Sequence, residues 1–213
     1  KSIATPDNPE LAQRIDTETR RQQAHRFDFM NIKNSEAGAR IGMLLFTGFE
    51  GLDAFGPLEM LSLLGRLTPI NLVTIGYQVD MYTKAEYKGS PSTVQADPVD
   101  RGTGARLPQT FGPQIIADYT IDTCPHLDLL LIPGGMGTRD LVTNKAKEAK
   151  LFAWIKQAAS KATLVVTVCT GSALLAETGL LDNVRATTNK SAFDWVAQQR
   201  IQVNWIRAPR WVE

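Results

Sequence analysis

Short runs of mainly apolar residues constrain the fold of this chain most strongly. They stand at residues 41–46, 71–75, 129–132 and 163–168. Stretches with the apolar spacing of amphipathic helices lie between them, for example at 144–160. Parallel strands are covered by helices on both faces and therefore carry unbroken apolar runs of this length. The alternation predicts an α/β fold, with a parallel sheet sandwiched between helices in the flavodoxin-like manner.

Composition divides the chain into an arm, a domain and an insertion. Residues 1–39 are polar and predict an N-terminal arm, whereas residues 40–213 carry the α/β pattern. Within the domain, residues 84–113 are rich in glycine and proline and predict a long insertion, of the kind that is more often functional than neutral. The sequence starts at Lys1, which indicates processing or trimming; a cytoplasmic protein is favoured, and secretion is left open.

The composition argues against several classes of protein. The chain has 23 basic and 22 acidic side chains, so it lacks the basic excess typical of nucleic-acid-binding proteins. Its apolar runs are too short to span a bilayer. Two cysteines and two histidines, without a Cys-x-x-Cys motif, suit neither a disulfide scaffold nor a structural zinc site. We therefore expect no metal, no cofactor, and no nucleic-acid or membrane partner, but a small-molecule substrate.

A cysteine stands at the end of the last long apolar run. The sequence VTVCTGS at 166–172 predicts a buried strand, a turn at Cys169 and a helix that begins at once. This nucleophile-elbow arrangement places the thiol at the carboxyl edge of the sheet, where open α/β folds bind ligands. The N–H groups at the start of the helix favour a thiolate, and Gly171 leaves room for close approach to the backbone. A buried structural cysteine is the alternative, and this motif alone does not decide between them.

Two further motifs are predicted to reach the same edge. Gly134 and Gly135 follow a strand, and their N–H groups, with that of Thr170, are candidates for an oxyanion hole. Asp53 follows the first strand, ahead of a helix that Pro57 is expected to open, and its carboxylate is a candidate proton carrier. Each of these two motifs alone is more typical of an ordinary turn or helix cap, so the prediction depends on their combination with the cysteine.

Together the motifs resemble those of the ThiJ/PfpI superfamily, whose domain is similar to the class I glutamine amidotransferase fold. The resemblance covers residues 40–213. It rests on LDAFGP at 52–57, DLLLIPGG at 128–135, VCTGS at 168–172, and GLLD at 179–182 followed by RATT at 185–188. The isonitrile hydratase-like branch is the most similar, because it has an aspartate after the first strand and a threonine after the cysteine, as Asp53 and Thr170 are here.

The resemblance implies a cysteine-dependent lyase of the isonitrile hydratase type that works as a homodimer. Cys169 would be the nucleophile, Asp53 would hydrogen-bond the thiol and relay protons, and Thr170 would orient substrate or water. The thiolate would attack the terminal carbon of an isonitrile to give a thioimidate, which water would release as an N-substituted formamide. The backbone positions expected to hold substrate and developing charge are Gly134, Gly135 and Gly171.

Several departures from the family pattern leave alternatives open. Asn189 stands where the hydratases have a histidine, the insertion is expected to reshape the mouth of the cleft, and the sequence stops where the family continues. We expect either a partner fragment cut from the same protein or a C-terminal part absent from this chain. The alternative functions are a non-enzymatic redox- or ligand-sensing module, and glyoxalase or deglycase activity on reactive carbonyls. Branches with the latter activities pair the cysteine with glutamate and histidine, and no histidine lies close to Cys169 in this sequence.

Overall fold

The computed structural model describes residues 38–77, 93–95 and 114–213, with the backbone alone for 93–95 and Gln114. The predicted N-terminal arm lies outside these ranges except for its last two residues. Most of the predicted insertion at 84–113 also lies outside them. The division into arm, domain and insertion therefore stays a prediction.

Strands and helices alternate along the described ranges. The strands are β1 Ala39–Phe46, β2 Ile70–Tyr77, β3 Thr93–Gln95, β4 Gln114–Ile116, β5 Tyr119–Thr120, β6 Leu129–Ile132, β7 Leu164–Thr167, β8 Arg185–Ala186 and β9 Asn204–Trp205. The helices are α1 Gly51–Leu64, α2 Gly137–Thr143, α3 Ala149–Lys161, α4 Gly171–Glu177 and α5 Phe193–Gln199.

The central sheet has five strands in the order β5-β2-β1-β6-β7, and all neighbouring pairs are parallel. The predicted α/β fold with a parallel sheet is confirmed. The chain builds outward from β1 through β2 to β5, then crosses to the other side of β1 to add β6 and β7. The reversal between β1 and β6 is a topological switch point, where open α/β sheets form a crevice at their carboxyl edge. Two smaller pairings, β3 with β4 and β8 with β9, lie outside this sheet.

The hydrophobic core lies on the central strands. In β1 the side chains from Ile41 to Phe46 are buried, and all four residues of β6 are buried as well. Leu151 and Ile155 of α3 and Leu174 of α4 belong to the same cluster. Each such aliphatic side chain contributes roughly 1.5–3 kcal/mol when it is fully removed from water. This core holds the ends of β1, β6 and β7 in fixed relative positions.

Two helix boundaries differ from the sequence prediction. Helix α1 begins at Gly51, so Pro57 lies inside it and Asp53 lies in its first turn. The early start follows from a tight connection after β1, in which the amide of Glu50 donates to the carbonyl of Gly134 (2.8 Å). The helix expected at 144–160 starts only at Ala149, since α2 precedes it and ends at Thr143, with Asn144 as its C-cap residue.

Candidate active site

Three adjacent strands deliver the predicted site residues to one edge of the sheet. Asp53 lies in the first turn of α1, just after β1, and Gly134 follows β6. Cys169 follows β7, immediately before α4. Because β1, β6 and β7 are neighbours and parallel, their carboxyl ends meet at the switch point. The structure therefore brings together the three motifs that are far apart in sequence.

The turn at Cys169 has the strained backbone of a nucleophile elbow. Cys169 has φ 55°, in the left-handed region; among the described non-glycine residues only Asn183 shares this sign. Gly171, two residues further on, must be glycine, because a Cβ there would lie 2.3 Å from the carbonyl oxygen of Ile132. The elbow is thus packed directly against the end of β6. This contact with β6 accounts for Gly171, whose expected role in binding substrate is untested.

The Cys169 thiol and the Asp53 carboxyl are hydrogen-bonded to each other. The backbone N–H of Gly134 donates to Oδ2 of Asp53 (3.2 Å), which fixes the carboxyl group over the thiol. Burial raises the pKa of Asp53 above its usual range, although its hydrogen bonds to Cys169 and Gly134 act in the opposite direction. The raised pKa of Asp53 agrees with a carboxyl group that can carry a proton beside the thiol.

The pKa of the Cys169 thiol is also raised, first by burial and second by the negative charge of Asp53. The backbone N–H of Thr170 and the side-chain amide of Asn189 lower it, but they do not outweigh the burial. This direction is opposite to the thiolate that the sequence predicted. Because the two groups are buried beside each other, a negative charge on one disfavours a charge on the other.

The hydroxyl of Thr170 is committed to a buried network. It accepts from the backbone N–H of Gly135 (3.1 Å) and lies 3.0 Å from the hydroxyl of Thr138, which donates its one proton to the carbonyl of Gly135 (2.7 Å). Thr138 was missed by the sequence analysis, because a threonine inside a helix carries no signal of its own. The N–H of Gly135 is already bonded to the Thr170 hydroxyl. The backbone N–H that reaches the sulfur is that of Thr170.

A segment after β8 closes the other side of the thiol. The hydroxyl of Thr188 donates to the carbonyl of Cys169 (2.9 Å), and the side chain of Asn189 is hydrogen-bonded to the sulfur. The sequence analysis noted Asn189 only as a departure from the family pattern. Its position two residues ahead of Ser191, in the turn before α5, is the signal that was available, since asparagine commonly accepts a hydrogen bond from the backbone two residues further on in an Asx turn.

The other cysteine and the histidine nearest to it lie at the opposite edge of the sheet. Cys124 and His126 precede β6, and burial raises the pKa of the Cys124 thiol to about 11. His126 is paired with Asp128 (3.7 Å), away from Cys169. Within the described ranges, no group of three or more His, Cys, Asp or Glu side chains is placed to hold a metal ion. No helix there is long and apolar enough to cross a membrane.

This combination of switch-point cleft, elbow cysteine and adjacent carboxyl group defines the class of the protein. The chain belongs to the DJ-1/PfpI family, whose sequence profile matches residues 39–206. It is similar to an isonitrile hydratase from Pseudomonas putida, with 31% identity over 155 residues, which make up 73% of this chain and 54% of that protein.

Solved structures share the fold of this chain. A ThiJ/PfpI family protein from Pseudomonas syringae superposes with a TM-score of 0.59 at 24% identity, over 86% of this chain and 63% of that one. A DJ-1 superfamily protein from Salmonella typhimurium superposes with a TM-score of 0.56 at 18% identity, over 80% of this chain and 75% of that one. The chain spans a little over half the length of the curated isonitrile hydratase that it matches.

Proposed function

We propose that this chain carries the nucleophilic site of a cysteine-dependent lyase that hydrates isonitriles to N-substituted formamides. The observation that carries the proposal is the hydrogen bond between the Cys169 thiol and the Asp53 carboxyl at the switch point of the sheet. The similarity to the isonitrile hydratase of Pseudomonas putida supports the choice of substrate.

In the proposed reaction Asp53 accepts the thiol proton while the sulfur of Cys169 attacks the terminal isonitrile carbon. Asp53 then returns this proton to the same carbon, which gives a neutral thioimidate bound to the sulfur. Water adds to the thioimidate carbon, the carbon–sulfur bond breaks, and the formamide leaves as the thiol is restored. The net reaction adds one water to one isonitrile. A carboxyl group whose pKa is raised by burial suits both proton transfers, because it holds and releases a proton near neutral pH more readily than an ordinary aspartate.

The site suits this chemistry better than deglycase or glyoxalase chemistry. In the described part of the chain, the side chains hydrogen-bonded to the sulfur are those of Asp53 and Asn189. The histidine expected of the carbonyl-processing branches is not among them, since His126 is paired with Asp128. Addition to an isonitrile requires one carboxyl group to move one proton, and Asp53 meets that requirement.

The test is formamide production from a simple alkyl isonitrile by the purified protein, with Cys169→Ala and Cys124→Ala as matched variants. We expect turnover by the wild type and by Cys124→Ala, and none by Cys169→Ala. Intact mass spectrometry during turnover should show an adduct of isonitrile mass on Cys169. Lack of turnover by the wild type, or undiminished turnover by Cys169→Ala, would refute the proposal. Stoichiometric oxidation of Cys169 by peroxide without turnover would instead favour the redox-sensing alternative.

A further inference from the structure

Asn189 is held in one orientation by the turn that precedes α5. Its side-chain oxygen Oδ1 accepts three hydrogen bonds, from the amide of Ser191 (3.0 Å), the hydroxyl of Ser191 (2.6 Å) and the amide of Ala192 (3.2 Å). These donors can be satisfied only by the oxygen end of the group. The nitrogen end, Nδ2, is therefore the end that faces the sulfur of Cys169.

The segment that carries Asn189 is fixed against the elbow itself. Thr188, its neighbour, is buried and donates to the carbonyl of Cys169 (2.9 Å). Asn189 is hydrogen-bonded to the Cys169 side chain and acts to lower the pKa of that thiol. A donor fixed by three other bonds need not reorganise when charge appears on the sulfur, and such preorganised donors are the effective ones in catalysis.

We propose that Asn189 is a positioning residue of the site, which uses its fixed Nδ2 donor to stabilise the Cys169 thiolate as it forms. The inference deepens the proposed function and rests on Cys169 acting as a nucleophile. In this role the uncharged amide of Asn189 partly offsets the two effects that disfavour the thiolate, which are the burial of the sulfur and the negative charge of Asp53. An amide does not titrate, so this support is the same at every pH at which the protein is folded.

The charged groups on the elements around the sulfur are few. Asp53 of α1 is in direct contact with it. Lys190, next to Asn189, is exposed and donates to the hydroxyl of Thr187 (2.5 Å). Arg139 of α2 is stacked over Trp195 of α5, 4.6 Å from the ring centroid. Of these groups only Asp53 acts on the thiol as a hydrogen-bond partner, so a variant at Asn189 changes the pH response of a two-group system.

Asn189→Asp is the decisive variant, because aspartate keeps an oxygen for the three turn hydrogen bonds and replaces the Nδ2 donor with a second acceptor. The readout is the pH dependence of the rate at which iodoacetamide alkylates Cys169, resolved from Cys124 by peptide mapping. We expect the midpoint of this profile to rise by at least about one pH unit, which is a rate loss of about tenfold at neutral pH. Thermal unfolding should change little, since Asp supports an Asx turn as Asn does.

Asn189→Ser is the second variant, in case the aspartate does not fold. Serine also supports this type of turn but is too short to donate to the sulfur, so the midpoint should rise by a smaller amount without an added charge. Ser191→Ala is the matched control: it removes one turn hydrogen bond, leaves Nδ2 in place and should keep the wild-type profile. Wild-type profiles in both Asn189 variants would overturn the proposal.

The alkylation readout needs no isonitrile turnover, so it separates the two proposals. A shifted midpoint in a protein without isonitrile turnover would refute the proposed substrate and keep the role of Asn189. An unshifted midpoint in an active enzyme would keep the substrate and refute the role of Asn189.

Discussion

Cys169 and Asp53 form a pair in which each residue sets the protonation of the other. Burial raises the pKa of both groups, and a charge on Asp53 raises the pKa of Cys169 further. The pair therefore disfavours a thiolate beside a carboxylate. Attack on a substrate that takes up the thiol proton avoids this repulsion, because the sulfur ends bonded to carbon and carries no charge. The pair is better suited to addition reactions with proton transfer than to a permanently ionised sulfur.

Asp53→Asn separates the catalytic from the structural role of this carboxyl group. The amide oxygen still accepts from the Gly134 N–H, so the fold should persist, but the side chain no longer exchanges a proton. General acid–base assistance is worth about 10²–10⁴-fold, and we expect a loss of turnover of that size. Steady-state rates with an isonitrile test this expectation, and a near-wild-type rate would reduce Asp53 to a structural residue.

The same variant has a predicted effect on stability with a definite sign. Because the pKa of Asp53 is raised in the folded protein, ionisation of Asp53 destabilises the fold, and the loss develops as pH rises through the folded pKa. Asn does not ionise. The unfolding temperature of Asp53→Asn should therefore be at least as high as that of the wild type near neutral pH. The difference between the two unfolding temperatures should shrink below the ordinary aspartate pKa of 3.8.

At the scale of elements, the loop after β6 and the elbow after β7 touch without room for a side chain. A Cβ on Gly134 would lie 2.7 Å from the amide nitrogen of Thr170 and 2.8 Å from Cβ of Cys169. Gly134→Ala therefore pushes the loop away from the thiol. We expect the free energy of unfolding to fall by about 1–3 kcal/mol, as for other overpacked positions. The rates of Cys169 alkylation and of turnover should fall even under conditions in which the variant is fully folded.

Gly56→Ala in α1 is the matched control for Gly134→Ala. A Cβ there would meet nothing closer than Cδ1 of Leu52, at 3.8 Å. A helix is roughly 0.5–1 kcal/mol more stable with alanine than with glycine at an interior position. The urea midpoint of Gly56→Ala should therefore rise slightly, and its activity should stay at the wild-type level. Equal behaviour of the two alanine variants would contradict the proposed contact between the loop and the elbow.

Sequence reasoning predicted the order of elements well but not every boundary. The apolar runs of β1, β6 and β7 are local signals, and the structure confirms them as strands. The start of α1 depends instead on a hydrogen bond from Glu50 to the loop after β6, a contact over more than eighty positions of sequence. Local helix propensity predicts Pro57 at the start of a helix, and it contains no information about that contact.

The site was predicted as a set of residues but not as a set of contacts. Cys169, Asp53 and Gly134 were brought to one edge by topology alone. The pKa direction of Cys169 was not predictable, because it depends on how much of the sulfur is buried and on how close Asp53 comes. The roles of Asn189 and Thr138 were not predicted for a related reason, since both depend on partners distant in sequence.

At the scale of the whole molecule, α1 presents an apolar face that the rest of the described chain leaves exposed. This α1 face consists of Leu52, Phe55, Met60 and Leu63, and is extended by Leu67 in the turn that follows the helix. Leu52, Met60 and Leu67 are 77%, 68% and 85% exposed. Exposed apolar patches of this kind are typical of protein–protein contact surfaces. The net charge of +1 gives little electrostatic repulsion between two copies, so a second copy is the partner that we expect here.

The homodimer expected from the family resemblance is tested through this face. Met60→Glu places a charge at its centre and should shift the protein from two chains to one in light scattering at micromolar concentration. Ile201→Glu is the control, because Ile201 is 80% exposed but follows α5, far along the chain from α1. A monomeric wild type, or a Met60→Glu variant that stays dimeric, would contradict the prediction without affecting the site at Cys169.

The backbone at Cys169 has a left-handed conformation, which glycine adopts with less strain than cysteine. A non-glycine residue in this region costs of order 1–3 kcal/mol, and at φ 55° the cysteine carries that cost in every folded molecule. Thermal stability therefore favours glycine at position 169, whereas reactivity requires cysteine there. A library of this protein sorted for thermal survival alone would be enriched in glycine at residue 169, and its most robust members would be inert.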